Sequence, residues 1–291
     1  MNSRRLFLKQ SSLLAASFAV IPSLASIPVN KKAVGLQLWT VKDIIEKDLS
    51  NVISKIAQIG YKEVETFGYS KKSGFWGLDA KAFAELLKKN GLKSSSGHFD
   101  LDSYLQGKKT DQLQDYVNAA NILGSEYITI PSLPYSLTKT ADGYKKVAEK
   151  LNEAALTCKR VGLKLSYHNH DSEFKKFAGT TGYEILLNET DKKLVDFELD
   201  LYWATRAGQD IIKIFKDHPG RFKLWHVKDM DKNNRDLNAE VGTGSIDFKS
   251  IFAAAKLAGV KHYIVENESN YKPDILGSIQ SSFNYIENQL L

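Results

Sequence analysis

The 291-residue chain is 43% hydrophobic and 11% aromatic, with a formal charge of +6. That composition can bury a substantial core and excludes a disordered chain. Its single cysteine, Cys158, excludes disulfides within the chain, and the mild, scattered positive excess is no nucleic-acid footprint.

Residues 1–25 read as an export signal: a basic head, an apolar stretch broken by serines, and small residues around Ser23-Leu24-Ala25. Ser3-Arg4-Arg5-Leu6-Phe7-Leu8-Lys9 resembles a twin-arginine signal. The resemblance implies the twin-arginine export machinery as a partner, export in folded form and a periplasmic mature protein. The apolar part is too short and serine-rich to span a bilayer comfortably, so no stable membrane span is expected after its removal. Its loss takes Arg4, Arg5 and Lys9 and no acid, leaving 37 basic against 34 acidic residues, a net +3.

From residue 33 the chain alternates. Apolar or β-branched runs at 33–39, 61–67, 92–98, 126–131, 163–168, 194–200, 222–228 and 262–266 predict eight strands. Helical patterns follow them at 43–59, 79–90, 110–123, 138–161, 181–190, 209–217, 247–257 and 274–290, several opening on Asp or Thr and several ending on Gly. Cys158, inside the fourth helical pattern, is expected as a small buried apolar residue. Eight strand–helix units without a Pro- or Ser-rich linker predict an α/β fold in which residues 26–291 form a single (β/α)8 TIM barrel. A doubly wound open sheet fits less well, because a helix follows even the eighth strand and no Gly-rich phosphate fingerprint follows the first.

Such barrels carry their active sites at the C-terminal ends of the strands. The residues there are Gln37 and Trp39, Glu65 and Phe67, His98, Pro131, His168 to Glu173, Asp200 with Tyr202 and Trp203, His226 and Lys228, and Glu266 and Glu268. Four of the six histidines stand at this rim, whereas His262 opens its strand at the opposite end and reads as structural. Buried carboxylates without partners are costly, so a ring of them points to a cation. Carboxylates with imidazoles and no thiolate suit one divalent ion, Mn²⁺, Mg²⁺, Co²⁺ or Zn²⁺.

The segments Gly35-Leu36-Gln37-Leu38-Trp39-Thr40-Val41, Gly60-Tyr61-Lys62-Glu63-Val64-Glu65, Tyr167 to Phe174, Leu199 to Trp203, His226-Val227-Lys228-Asp229 and Val265-Glu266 carry a family resemblance. Together they resemble the xylose-isomerase-like TIM-barrel superfamily of sugar phosphate isomerases and epimerases, from about residue 33 onward. The resemblance implies one divalent metal held by a Glu, an Asp, a His and a Glu from the last four strands. Asp200, His226 and Glu266 match three of these. The fifth-strand slot reads His168, so either His168 ligates or Glu173 folds back, and the acid that recurs in relatives with the YHNH-type motif points to Glu173. Glu266 has a near rival in Glu268, on the same side of its strand.

The implied activity is isomerisation or epimerisation of a keto-sugar through an enediolate, with Glu173 and Glu266 as ligands that also move protons. Trp39, Glu65, His98, His168, His170, Trp203 and Lys228 are expected to bind the carbohydrate, with Phe67 and Tyr202 as further apolar walls. The same intermediate serves a lyase or dehydratase acting on a 3-keto-glycoside or keto-polyol. A non-catalytic sugar-binding protein would need no such ligand set. An AP endonuclease would need more metal ligands, including a histidine where Trp203 stands, and no nucleic-acid partner is expected.

Overall fold

The computed structural model describes residues 32–108, 111–177 and 179–291; the expected signal and its cleavage site lie outside the described residues. All eight expected strands form: β1 (Val34–Gln37), β2 (Glu63–Thr66), β3 (Lys93–His98), β4 (Tyr127–Ile130), β5 (Lys164–His168), β6 (Val195–Asp200), β7 (Phe222–Val227) and β8 (His262–Val265). Each lies parallel to its neighbour in sequence. β1 returns to β8 through Val34↔Tyr263, Gly35↔Ile264 and Leu36↔Val265, so the sheet closes and has no edge.

The surrounding helices are α1 (Leu49–Ile59), α2 (Ala80–Lys89), α3 (Gln112–Leu123), α4 (Ala141–Lys159), α5 (Gly182–Glu189), α6 (Ile211–Asp217), α7 (Phe248–Ala253) and α8 (Ile275–Tyr285). Side-chain caps explain where most begin: Asp48, Asp79, Thr140, Thr181, Asp210, Asp247 and Asp274 each accept the backbone N–H three residues on. Asp48 also breaks the expected 43–59 helix into a short turn, Lys42–Ile45, and α1. Gly60 ends α1 at φ 126°, and a Cβ there would lie 2.5 Å from the Phe283 ring of α8. Among the described residues no helix is long and apolar enough to cross a membrane.

Strand alternation divides the core in two. Outward residues such as Leu36, Val64, Ile128, Leu165, Phe197, Trp225 and Val265 meet the helices in one continuous cluster that also buries Cys158. The barrel interior carries only a small apolar plug, Tyr127, Leu224 and Ile264. Beside it Ser96, Thr129 and Ser166 form a buried chain of hydroxyls. Two residues further along β7 and β8 stand His226 and Glu266, so the interior becomes charged toward the C-terminal mouth.

Candidate metal centre and active site

Alternation puts Glu198 and Asp200 on the inner face of β6, and the sheet register sets Asp200 opposite His226 and Glu198 opposite His168. His226 consequently stands at the centre with a different neighbourhood on each ring nitrogen. Its Nδ1 lies 3.1 Å from Glu266 Oε2 and 3.8 Å from Asp200 Oδ2. Asp200 uses Oδ1 to cap the helix Leu201–Arg206 through the Trp203 N–H at 2.8 Å, leaving Oδ2 buried without a hydrogen-bond partner. Lys228 Nζ reaches Glu268 Oε2 at 2.7 Å, Glu266 Oε2 at 3.0 Å and Asp200 Oδ2 at 4.0 Å.

The Nε2 of His226 faces Glu65 Oε2 at 2.6 Å and Glu198 Oε2 at 3.2 Å. His98 Nε2 approaches the same two oxygens at 3.1 and 2.8 Å, and His168 Nδ1 lies 3.0 Å from Glu198 Oε2. Gln37 donates to Glu65 Oε2 at 2.8 Å while its own oxygen accepts the Trp39 N–H, tying the rim to the floor. Glu65 Oε1 and Glu198 Oε1 are buried without partners.

The electrostatics follow from burying so many charges together. Burial, then the charge of Glu65, pushes the Glu198 carboxyl up to about 7. Burial likewise carries Asp200 up to about 7 against the pull of Lys228 and His226. His98 resists burial because Glu65 and Glu198 flank it, and its imidazolium persists to about 10. His168 goes the other way, held well below the usual histidine range by burial and by the charges of His226 and His98. Lys228 is raised, since Glu266 and Asp200 outweigh its desolvation. Three buried carboxylate oxygens, Asp200 Oδ2, Glu65 Oε1 and Glu198 Oε1, are left without a hydrogen bond. A divalent cation fits this donor set: Asp200, His226 and Glu266 offer ligand atoms within 4.8 Å of one another.

A pocket of about 380 Å³ opens above, lined by Trp39, Phe67, His98, His168, His170 and Glu266 among others. Trp39, 40% exposed, stands edge-on to Phe67 at 4.9 Å and forms the rim. Trp203 packs instead against His170 at 5.4 Å and beneath Lys228 at 5.2 Å, outside the pocket lining. Tyr202 is buried, its hydroxyl donating to the Arg235 carbonyl, and so forms no wall.

Glu173 is not brought to this cluster. Its carboxylate accepts from the Tyr167 hydroxyl, from Ser172 Oγ at 2.7 Å and from the His170 N–H at 3.3 Å, because the short turn Ser172–Phe174 folds it back under its own loop. Lys228 does not pair with Asp229, whose carboxylate points away and accepts the N–H groups of Met230, Gly242, Gly244 and Ile246. Sequence reasoning passed over Glu198, although its place two residues before Asp200 was signal enough that both face inward. His262 bonds Glu63 and Glu126 at the opposite end of the barrel, consistent with a structural part.

The model of the xylose isomerase-like TIM barrel family matches residues 53–288. The chain belongs to that family. An inosose dehydratase of Clostridium perfringens is 24% identical over 251 residues, 74% of this chain and 81% of that protein. An inosose dehydratase of Mesomycoplasma hyopneumoniae is 27% identical over 214 residues, 67% and 68% of the two chains. A crystal structure of a sugar phosphate isomerase/epimerase from Parabacteroides distasonis ATCC 8503 superposes with a TM-score of 0.76 at 28% identity, covering 92% of this chain and 99% of that one. The chain is thus similar to sugar-modifying enzymes across most of its length.

Proposed function

We propose that the protein is a divalent-metal-dependent carbon–oxygen lyase that acts on a keto-polyol or 3-keto-glycoside. One observation carries the reading: Asp200, His226 and Glu266 aim an orphaned carboxylate oxygen, a ring nitrogen and a second carboxylate at one buried point beside a sugar-sized pocket. The dehydratase names of its relatives favour elimination. Isomerisation or epimerisation of a keto-sugar is the second reading, favoured by the name of the Parabacteroides distasonis structure, and it needs the same removal of a proton beside a carbonyl.

Asp200, His226 and Glu266 would hold the ion, which when bound supplies the Lewis acidity that polarises a ketone and acidifies the adjacent C–H. Lys228 faces the same point and stabilises the negative charge that develops on the ketone oxygen. Glu268, which lines the pocket and is oriented by Lys228, takes the proton from carbon. His170, also in the lining, gives a proton to the departing oxygen. The C–H and C–O bonds break, a C=C bond forms in the sugar, and the hydroxyl leaves as water, or the aglycone as an alcohol. Return of the proton to carbon in place of C–O cleavage gives the second reading. Glu173 acts here by holding the turn that carries His170.

The test is incubation of metal-loaded protein with keto-polyols and 3-keto-glycosides in D₂O. Deuterium at carbon with loss of water or aglycone is expected, abolished by a chelator. Exchange without elimination would select the isomerase reading; neither exchange nor product across the panel would sink both.

We also assign residues 1–25 to a twin-arginine signal on the Ser3 to Lys9 pattern, with a periplasmic mature protein. Such a location favours a free or glycosidic sugar over a phosphorylated one. Replacing Arg4 and Arg5 by Lys should leave the chain in the cytoplasmic fraction; unchanged export would refute the assignment.

A further inference from the structure

We infer that the barrel holds a second divalent-ion site, separate from the Asp200 group and built from His98, His168 and Glu198 on β3, β5 and β6. Three imidazole nitrogens converge on the single oxygen Glu198 Oε2: His98 Nε2 at 2.8 Å, His168 Nδ1 at 3.0 Å and His226 Nε2 at 3.2 Å. The ligand atoms of these four residues all lie within 4.8 Å of one another. A neutral imidazole offers its one N–H through only one of its two nitrogens, and one carboxylate oxygen cannot accept three donors with good geometry at once. A cation bound at this point would displace the N–H protons and take up the nitrogen lone pairs together with the carboxylate oxygen.

A second observation comes from the orphaned oxygens. Glu198 Oε1 and Glu65 Oε1 are buried with no partner, although their sister oxygens are crowded with contacts. His226 belongs to the Asp200 group through Nδ1, and its Nε2 is already engaged by Glu65 at 2.6 Å. That leaves His98, His168 and Glu198 as the protein ligands, with Glu65 beside them. His98 and His168 both line the pocket, so the fourth position opens toward a ligand, the arrangement of a catalytic rather than a structural ion. Two imidazoles and a carboxylate favour Zn²⁺ or Co²⁺ over Mg²⁺. With the first ion on Asp200, the second would grip a further oxygen of a polyhydroxylated substrate.

The test strips the full chain with a chelator, reloads it with Co²⁺ and counts bound metal by elemental analysis after desalting. Two equivalents are expected in the wild type, one in His98→Gln and Glu198→Gln, and one in Asp200→Asn, with circular dichroism checking that each variant folds. An anomalous-difference map of Co²⁺-loaded wild-type crystals is a readout that needs no variant, and two peaks are expected. One equivalent in the wild type, lost in Asp200→Asn and kept in Glu198→Gln, would overturn the second site and leave the first. None at all would overturn both. Two equivalents that survive in both His98→Gln and Glu198→Gln would place the extra ion elsewhere and equally overturn the inference.

Discussion

His226 and Glu65 meet at 2.6 Å, Nε2 to Oε2, with both side chains fully buried. Glu65 thereby fixes the ring so that Nδ1 points toward Asp200 and Glu266, the usual way a carboxylate behind a metal-binding histidine sets its orientation. Glu65→Gln keeps the size and removes the charge. Metal affinity at the Asp200 group is expected to fall about tenfold to a hundredfold, read by competition with a chromophoric chelator. An unchanged affinity would show that Glu65 does not orient the ring.

The barrel was legible because most units repeat the same punctuation, an Asp or Thr cap, a helix, a glycine, a strand, and local signals suffice to set such a rhythm. Asp200, His226 and Glu266 were legible by position at the strand ends, and the structure gathers them. What local sequence could not show is competition for a side chain. Glu173 stands in the most histidine-rich stretch of the chain, yet the Tyr167 hydroxyl and Ser172 claim its oxygens first. Glu198 stands two residues inside the strand end, where only the register of β6 against β5 sets it opposite His168. The facing of Gln37 and Glu65 toward His226 depends on closure of β1 against β8, a contact spanning nearly the whole chain.

Asp229 organises the loop after β7. It is fully buried and accepts four backbone N–H groups, from Met230 at 2.8 Å, Gly242 and Gly244 at 2.9 Å and Ile246 at 3.1 Å. Gly244 is required by this approach, since a Cβ there would lie 2.4 Å from Asp229 Oδ1. Asp229→Ala strands several donors at once and should cost about 3–5 kcal/mol, lowering the melting temperature by roughly 10 °C. A calorimetric loss below about 1 kcal/mol would mean that water replaces the carboxylate freely.

Trp39 is the exposed wall of the pocket, braced edge-on by Phe67 at 4.9 Å. On the proposed reading it would touch the sugar in the ground and transition states alike, so its loss would remove uniform binding. Trp39→Ala is expected to raise KM about five- to thirtyfold, roughly 1–2 kcal/mol, with kcat little changed. Steady-state kinetics on the substrate found in the D₂O panel separate the two. A fall in kcat with constant KM would place Trp39 in the chemistry instead.

At the opposite end of the barrel, His262 Nδ1 lies 2.8 Å from Glu63 Oε2, with Lys93 on the other oxygen at 2.9 Å and Glu126 against His262 Nε2 at 3.3 Å. Burial would lower the His262 pKa, but Glu63 and Glu126 raise it above its ordinary value; burial would raise that of Glu63, but His262 and Lys93 lower it. A raised histidine contributes stability that is complete below its unfolded pKa and fades as pH climbs through the folded one. A lowered carboxylate contributes stability that is complete above its unfolded pKa and fades as pH falls. Both terms are therefore whole only between the two unfolded values, about pH 4.5 to 6.5. His262→Asn should destabilise by about 1–3 kcal/mol in that window, and the gap between wild type and variant should narrow on either side. Urea titrations at pH 3.5, 5.5 and 9 decide it, and a gap that is flat across the three would show that packing, not the ion pair, is what His262 contributes.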